Sequence, residues 1–381
     1  MLGPLSKNKI PLGIRGVALR DGDRISFPGQ ADPVRDMNAL PMPDYQEYFD
    51  RARRIGIADR ALSKAGIPFE SSRGCWWGQK HHCTFCGLKG LGMTYRSKTP
   101  DRLLAELEHL ANLYGVLNFR GTDNILDNGY PRQVFEALAE QRLDYRMFFE
   151  VKANLTQEQL RLLAFGGVHS IQPGIESLST RVLALMCKGT TALQNVRLLK
   201  WSAYFGIQVA WNTLWGFPGE RAEDYAAELT VMKHITYLEP PLGGGRIWME
   251  RFSPYFTEPE RWGVRWIRPE RSYAYAYPKQ SVDLTKVAYF FDYEFEDTLP
   301  DEAHHATSEL IAQWQQSWQR RRRRPGDAGR LVRAGSDAAR GRQIPEPCEP
   351  RQPELVTQCP TSRWTARSSW TRRNGPSCVR P

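Results

Sequence analysis

Six strand-like runs alternate with helical patterns between residues 67 and 254, and this alternation constrains the fold more than any other feature of the sequence. Repeated strand–helix units pair their strands in parallel through right-handed crossovers. Six units are fewer than the eight of a closed barrel, so the pattern alone allows a partial barrel or a doubly wound sheet. The strand-like runs are residues 67–71, 116–121, 145–152, 169–175, 207–216 and 246–253.

The helices between these runs have recognisable start and stop signals. Thr99 and Pro100 suit the cap and the first position of a helix whose leucines recur on one face as far as Gly115. Thr156 and Gln159 match the capping-box pattern of another helix. We predict further helices at residues 131–141, 179–187, 191–205 and 221–237.

Three cysteines follow the first strand-like run in the spacing C-x7-C-x2-C. In parallel α/β folds the reactive groups sit at the C-terminal ends of the strands, which is where this cluster falls. Short spacings in a large intracellular chain favour a metal site or catalysis over disulfides. The three residues are Cys75, Cys83 and Cys86, whereas Cys187 fits a buried core thiol on a helix.

Two kinds of metal group suit these thiols. A structural zinc would take the three sulfurs and either His81 or His82 as its fourth ligand. A 4Fe–4S cluster would use three sulfurs and keep its fourth iron open to a small molecule. The spacing lacks the distant second pair of a zinc finger and therefore favours the cluster. We then expect both histidines to be exposed loop residues.

Several short segments resemble the radical S-adenosylmethionine (SAM) enzymes, over roughly residues 40–319. The commonest spacing in that superfamily is C-x3-C-x2-C, from which the seven-residue first gap departs. The lead-in ESSRGC and the aromatic residue between the last two cysteines are similar to one subgroup, the cobalamin-dependent C-methyltransferases that mature ribosomally made peptides. Further resemblances are IQPGIESLS (171–179), LMCKG (185–189), LWGFPGE (214–220) and GRIWMERFSPYF (245–256).

This resemblance implies a fold and a reaction. The fold would be α/β, a partial (β/α)6 barrel similar to an incomplete TIM barrel. A 4Fe–4S cluster on the three cysteines would bind SAM at its open iron and supply the electron that yields a 5′-deoxyadenosyl radical. The radical would serve C-methylation of a ribosomally made precursor peptide, with methylcobalamin carrying the methyl group. A flavodoxin- or ferredoxin-like electron donor is also implied. The N-terminal residues MLGPLSKNKIPLG lack the apolar stretch of a signal peptide, so we expect a cytoplasmic location.

Candidate cofactor-binding residues lie next to the cysteines and at the ends of the strands. The resemblance implies that Phe85 packs near the adenine, with ordinary core packing as the alternative. Carboxylates at strand ends can accept ribose hydroxyls or the amino group of SAM, and a lysine can pair with its carboxylate. Salt bridges across the barrel end are the alternative. These strand-end candidates are Asp123, Asn124, Glu150, Lys152, Glu176, Ser177 and Asn212.

Composition divides the chain into four predicted segments. Residues 1–60 form an irregular N-terminal lead-in, 61–260 the barrel, 261–319 a C-terminal extension and 320–381 a disordered tail rich in Arg and Pro. We expect the lead-in to be too short for a cobalamin-binding domain, which is a doubly wound α/β unit. Cobalamin would then need a domain supplied in trans, and an inactive fragment is the alternative.

The net charge of +10 comes from the tail, which holds 15 Arg, no Lys and 5 acidic residues. The remaining 37 basic and 37 acidic residues balance, so we do not expect the body to bind nucleic acid. No apolar run of about 18 residues indicates a membrane span. Two alternative functions stay open: radical modification of a peptide without methylation, by epimerisation or bond formation, and a zinc-stabilised binding module without enzymatic activity.

Overall fold

The computed structural model of the chain describes residues 13–57, 66–88, 92–278 and 281–322. Strands in this part of the chain are short, with two to six residues each. They are β1 (Leu19–Asp21), β2 (Arg24–Ser26), β3 (Ile67–Phe69), β4 (Ser72–Arg73), β5 (Arg96–Ser97), β6 (Asn118–Gly121), β7 (Arg146–Glu150), β8 (Val168–Gln172), β9 (Gln208–Val209), β10 (Asn212–Trp215), β11 (Gly243–Arg246), β12 (Met249–Glu250), β13 (Val264–Pro269) and β14 (Phe290–Phe295).

Two helices begin where their capping signals predict. Thr99 accepts a hydrogen bond from the Arg102 amide, and Thr156 and Gln159 form a complete capping box. The helices are α1 (Gln46–Arg54), α2 (Gly78–His81), α3 (Pro100–Tyr114), α4 (Glu136–Gln141, preceded by a π-helical turn at Pro131–Phe135), α5 (Gln157–Phe165), α6 (Thr180–Leu185), α7 (Ala192–Phe205), α8 (Ala222–His234), α9 (Pro254–Thr257), α10 (Tyr273–Ala276), α11 (Leu284–Val287) and α12 (His305–Arg322).

A curved parallel sheet forms the centre of the described chain. Its first part has the order β3-β6-β7-β8-β9, and its second part is the parallel pair β10-β11. The two parts meet where Glu176 pairs in parallel with Thr213, and the Leu214 amide donates to the Glu176 carbonyl at 2.8 Å. The predicted partial barrel is therefore confirmed, with β9 and β10 together serving as its fifth strand.

The sixth strand lies earlier in the chain than predicted. The sequence predicts residues 246–253, but the strand that pairs with β10 is β11, which reads Gly-Gly-Gly-Arg. Glycine has a low strand propensity, so the pattern passes over these residues. Within the predicted run, β12 pairs antiparallel with β14 in a separate sheet of order β12-β14-β13.

Successive side chains along the barrel strands point to opposite faces of the sheet, and the two faces differ in burial. Phe69, Phe119 and Phe149 are buried on the outer face, where they pack edge to face beneath the helices. On the opposite face, Arg120 is exposed and Phe148 is half-buried. A second hydrophobic cluster joins the end of the barrel to the β12-β14-β13 sheet, through residues such as Phe217 and Tyr255. The cysteine segment lies beside this second cluster.

The ends of the predicted segments are only partly visible. Helix α12 continues to Arg322, and most of the predicted tail lies outside the described residues. The segment boundaries therefore stay predictions. Among the described helices, none combines the length and apolar character needed to cross a bilayer.

Candidate functional site

The cysteine segment, residues 74–87, begins just after β4 and starts with a turn that only glycine fits. Gly74 has a φ of 77°, and a Cβ at this position would overlap the Thr94 carbonyl. The Cys75 amide donates to the Met93 carbonyl at 3.2 Å, and the Gly78 amide lies 3.3 Å from the Cys75 Sγ. Backbone hydrogen bonds therefore hold the Cys75 side chain in its position.

Cys75, Cys83 and Cys86 are half-buried thiols that form no disulfide, and Cys83 interacts electrostatically with each of the other two. Burial raises the pKa of the Cys86 thiol to about 12, and the neighbouring Cys83 contributes to the shift. Burial also raises the pKa of Cys83, while Lys188 and Lys152 oppose that shift. The thiolate forms therefore need compensating positive charge, which the two lysines supply in part and a metal group would complete.

The three thiols suit one of the two candidate metal groups better than the other. Within residues 13–57, 66–88, 92–278 and 281–322, no three His, Cys, Asp or Glu side chains converge as ligands of one metal ion would. In a 4Fe–4S cluster each cysteine binds a different iron, so the sulfurs need not meet at one point. Three soft, unpaired thiols with lysines beside them fit such a cluster.

Thr84, between the second and third cysteines, anchors the segment to distant parts of the chain. Its amide donates to the Met186 carbonyl at 3.1 Å, and its hydroxyl lies 2.8 Å from the Tyr255 hydroxyl. Three residues later, the Gly87 amide donates to the Glu250 carboxylate at 2.6 Å. The segments LMCKG and GRIWMERFSPYF, far apart in the sequence, therefore meet at the cysteines.

A buried ion pair lies beside the thiols. Lys188 Nζ is 3.1 Å from Glu176 Oε1, and both side chains are mostly buried. Burial alone lowers the pKa of Lys188, but the Glu176 carboxylate and the Cys83 thiolate outweigh it and hold that pKa above its usual value. Glu150 belongs to the same neighbourhood, because burial raises its pKa, Glu176 adds to that shift and Lys188 opposes it. The two predicted carboxylates therefore interact with each other and with Lys188.

Lys152, another predicted residue, is buried and interacts with other residues of the protein. Only 7% of the residue is exposed, its ammonium lies 3.7 Å from the centre of the Trp77 ring, and it donates to the Lys188 carbonyl. Burial, followed by the charge of Lys188, lowers the pKa of Lys152 to about 8. Its pairing with the carboxylate of SAM stays a prediction.

Asp123 has a structural role in the described chain. Its carboxylate accepts from the amides of Ser71 and Ser72 at 2.7 and 2.8 Å, and from the Ser71 hydroxyl. These bonds tie the end of β3 to the end of β6, and burial raises the pKa of Asp123 to about 6. Asn124 beside it is exposed. Binding of the cofactor by Asp123 and Asn124 stays a prediction.

The remaining predicted residues divide between core and surface. The Ser177 hydroxyl is buried and donates to the Glu228 carboxylate at 2.9 Å, whereas Asn212 is exposed on β10. The Phe85 ring is half-buried, with Lys188 Nζ 5.5 Å from its centre and Phe217 packed edge to face. Adenine packing at Phe85 stays a prediction.

The two histidines differ from each other. His81 is exposed, as expected, and stacks on Trp77 with ring centres 4.2 Å apart. His82 is half-buried, with Nε2 2.8 Å from the Cys86 carbonyl, so the expectation of an exposed loop residue is wrong for His82. Its ring helps to close the turn that carries Cys86.

Lys188 and Glu228 are the main residues that sequence reasoning missed. Lys188 belongs to the segment LMCKG, which the sequence analysis singled out. Packing of that segment against the cysteines would have placed Lys188 beside them. Glu228 is a helix residue with no local signal, because its partners Ser177 and Leu178 lie about fifty residues earlier.

Residues 69–230 match the family model of the radical SAM superfamily. An uncharacterized methyltransferase of Pyrococcus horikoshii is 25% identical over 262 residues, which are 65% of this chain and 54% of that relative. An anaerobic magnesium-protoporphyrin IX monomethyl ester cyclase of Cereibacter sphaeroides is 24% identical over 49% of this chain and 31% of its own length. The chain thus spans about half the length of the first relative and about a third of the second.

Two solved structures share the fold. The cobalamin-dependent SAM radical enzyme OxsB, with aqua-cobalamin and SAM bound, superposes with a TM-score of 0.55 and 15% identity, covering 89% of this chain and 53% of that one. The radical SAM methyltransferase TsrM from Kitasatospora setae, with cobalamin and a [4Fe-4S] cluster bound, gives 0.56 and 16%, covering 81% of this chain and 65% of that one. At such identities the likeness shows the fold.

Proposed function

We propose, from the radical SAM domain that this chain carries at residues 69–230, that the protein cleaves S-adenosylmethionine reductively to make a 5′-deoxyadenosyl radical. The observation that carries this proposal is the set of three unpaired thiols beside the Lys188–Glu176 ion pair, just beyond the end of β3. A 4Fe–4S cluster on Cys75, Cys83 and Cys86 would supply the electron that breaks the sulfur–carbon bond.

The surrounding residues have separate roles in this proposal. Lys188 and Lys152 oppose the negative charge of the thiolates, because each counteracts the rise in the pKa of Cys83. Glu176 and Glu150 present carboxylates that can accept hydrogen bonds from the ribose hydroxyls or the amino group of SAM. Half-burial of the cysteines limits the access of water to the reacting atoms.

We further propose that the radical serves C-methylation of a ribosomally made precursor peptide. Support comes from the quoted resemblance, from a relative named as a methyltransferase and from the cobalamin-dependent enzymes that share the fold. In this proposal, a cobalamin-binding domain holds the methyl carrier, and a flavodoxin- or ferredoxin-like protein donates the electron. A cytoplasmic location stays a prediction.

Anaerobic reconstitution with iron and sulfide tests the radical step. The protein is incubated with SAM and a reductant, and 5′-deoxyadenosine is quantified by mass spectrometry. We expect Cys83→Ala to abolish its formation, because loss of one of three thiolates removes an iron ligand. Cys348→Ala, which lies outside the C-x7-C-x2-C motif, is the control. A fully active Cys83→Ala protein would refute the cluster assignment.

Adding cobalamin, a cobalamin-binding domain and a candidate peptide tests the methylation. A peptide whose mass rises by one CH2 unit, because a methyl group has replaced a hydrogen, supports it. An altered peptide of unchanged mass indicates epimerisation, and a loss of two hydrogens indicates bond formation. Either of these two results would support the radical chemistry and refute the proposed methyl transfer. A colourless, zinc-containing protein would instead favour the binding module.

A further inference from the structure

The seven-residue gap between Cys75 and Cys83 is folded against the protein. Helix α2 occupies its middle, and the Gln79 amide donates to the Cys75 carbonyl at 2.8 Å. Two tryptophans follow Cys75 directly, and each donates a hydrogen bond from its ring to a distant backbone carbonyl. Trp76 reaches Leu126 at 3.0 Å, and Trp77 reaches Cys187 at 3.1 Å.

Trp77 makes the denser set of contacts. The Lys152 ammonium lies over the Trp77 ring, 3.7 Å from its centre. The His81 ring, four residues later, stacks on the same indole. The ring also lies so close to Gly189 that a Cβ there would overlap it. Gly189 has a φ of 65°, a conformation that other residues rarely adopt. The turn at residues 187–189 is therefore shaped to accept an indole.

A long gap needs such an anchor for a physical reason. The Cys75 thiol must stay in reach of a group that Cys83 and Cys86 also bind, and each added residue enlarges the set of loop conformations that separate them. An anchor within the gap removes that freedom before any metal arrives. The contacts of Trp77 join protein to protein, so they hold the loop without a metal group.

We infer that Trp77 is a positioning residue: it docks the seven-residue gap onto the turn at residues 187–189 and so holds Cys75 beside Cys83 for a shared cluster. The inference rests on the proposed function, because it names the cluster as the group that is shared. Lys152 contributes by packing its ammonium on the indole while donating to the Lys188 carbonyl, so the same lysine joins the gap to this turn.

Thiol alkylation of the full-length, metal-free protein tests the anchor without a cluster. Iodoacetamide labelling of Cys75 is followed by mass spectrometry in the wild type, Trp77→Ala, Trp77→Phe and Tyr204→Ala. Tyr204 is an exposed aromatic residue on α7 and serves as the matched control. We expect faster labelling of Cys75 in Trp77→Ala, a rate near wild type in Tyr204→Ala, and an intermediate rate in Trp77→Phe, which keeps a ring but loses the N–H donor.

The reconstituted protein provides a second readout. Loss of iron to a chelator should be about tenfold faster in Trp77→Ala, as for other residues that support metal ligands from outside. The electron paramagnetic resonance spectrum of the reduced cluster should also change, and Trp77→Phe should recover part of the wild-type behaviour. If the wild type takes up no iron, the proposed function fails, while the alkylation rates still decide whether Trp77 anchors the gap.

A double-mutant cycle sharpens the assignment. Gly189→Ala should reproduce the faster labelling of Cys75, because its Cβ overlaps the indole, and the Trp77→Ala/Gly189→Ala protein should label Cys75 no faster than Trp77→Ala. The backbone strain of alanine at a φ of 65° lowers the stability of both Gly189→Ala proteins and is measured separately by thermal melts. Wild-type alkylation and spectra in a folded Trp77→Ala protein would overturn the inference. A second combination of results would also overturn the inference: Trp77→Ala fails to fold, and Trp77→Phe has the alkylation rate and spectrum of the wild type. Trp77 would then serve core packing only.

Discussion

Glu176 lies in the left-handed region of backbone conformation, with a φ of 58°, although it is not glycine. Such strain persists where the surroundings impose it and is frequent at functional sites. Here Asn195 donates to the carbonyls of Ile175 and Ser177 at 3.0 and 2.8 Å, and Leu214 donates to that of Glu176 itself. The turn therefore holds the Glu176 carboxylate beside Lys188 at a cost in backbone energy.

Glu176→Gln should weaken SAM binding and leave iron content unchanged. The amide keeps the shape of the side chain but removes its charge, and hydrogen bonds to charged groups are worth about 1.5–3 kcal/mol. We expect the Kd for SAM, measured by equilibrium dialysis of the reconstituted protein, to rise about tenfold or more. Glu158→Gln, on an exposed helix face, is the control. Unchanged affinity would exclude Glu176 from the SAM site.

Glu228 makes the stability of the fold depend on pH. It is buried, one oxygen accepts from Ser177 and Leu178, and the other has no hydrogen-bond partner among the described residues. Burial raises its pKa from 4.5 to about 7. A carboxyl with a raised folded-state pKa contributes stability below its unfolded pKa, and that contribution is lost as the pH rises through the folded value.

Glu228→Gln should remove this loss. The amide keeps the shape and cannot ionise, so the Tm of the variant minus that of the wild type should increase from about pH 5 to about pH 8 and then level off. The increase should be roughly 2–4 °C for each kcal/mol recovered. Thermal melts across this pH range measure it. A difference that stays constant with pH would show that Glu228 ionises as freely in the folded protein as in the unfolded one.

At the scale of elements, β11 shows how close packing can require glycine within a strand. A Cβ at Gly244 would lie 2.7 Å from the Trp215 ring and 2.9 Å from the Ile311 Cδ1 on α12, whereas a Cβ at Gly245 would have nothing within 4 Å. The last barrel strand thus lets helix α12 approach because it has no side chain at residue 244. The neighbouring glycine provides a built-in comparison.

Gly244→Ala should destabilise the protein by about 1–3 kcal/mol, because a methyl group in a filled space forces its neighbours to move. Gly245→Ala should be neutral or stabilising by about 0.4–1 kcal/mol, since it reduces the freedom of the unfolded chain without a clash. Urea unfolding of both variants measures these free energies. Equal effects at the two positions would contradict the packing of α12 on β11.

At the scale of the whole molecule, the distribution of charge separates body and tail. The basic excess lies after residue 319, and helix α12 continues to Arg322 with its Arg321 side chain donating to the Thr236 carbonyl at 2.5 Å. A deletion designed from the sequence at residue 319 would remove this contact. The structure therefore moves the best cut to the end of the helix.

A chain that ends at Arg322 should keep the Tm and iron content of the full chain. The apolar residues of the removed segment do not recur with the period of a helix or a strand, so the segment offers no apolar face to bury against the body. Any binding of the full chain to a polyanion such as heparin should vanish with the tail and weaken steeply with added salt. A large fall in Tm or iron content would show that the tail packs on the body. Binding retained by the shortened chain would place the basic surface elsewhere.

The sequence by itself determined the features that depend on local order. The caps at Thr99 and Thr156 and the alternation of strand and helix are local, so six helices between the barrel strands and five of the six barrel strands could be predicted, whereas α12 was not. The three cysteines could be selected as candidate ligands because their spacing is short. Gly243–Arg246 could not be recognised as a strand, since it forms through pairing with β10 and through contact with α12 rather than through propensity.

Only the tertiary structure decided which polar residues meet. Lys188 joins Glu176 at the thiols, Asp123 accepts hydrogen bonds from Ser71 and Ser72, and Ser177 donates to Glu228, all between residues far apart in the chain. Trp77 acquires its partner at Cys187 across 110 residues. A sequence fixes which groups are available, but burial requires each polar group to find a partner, and the partner is chosen by how the strands and helices pack.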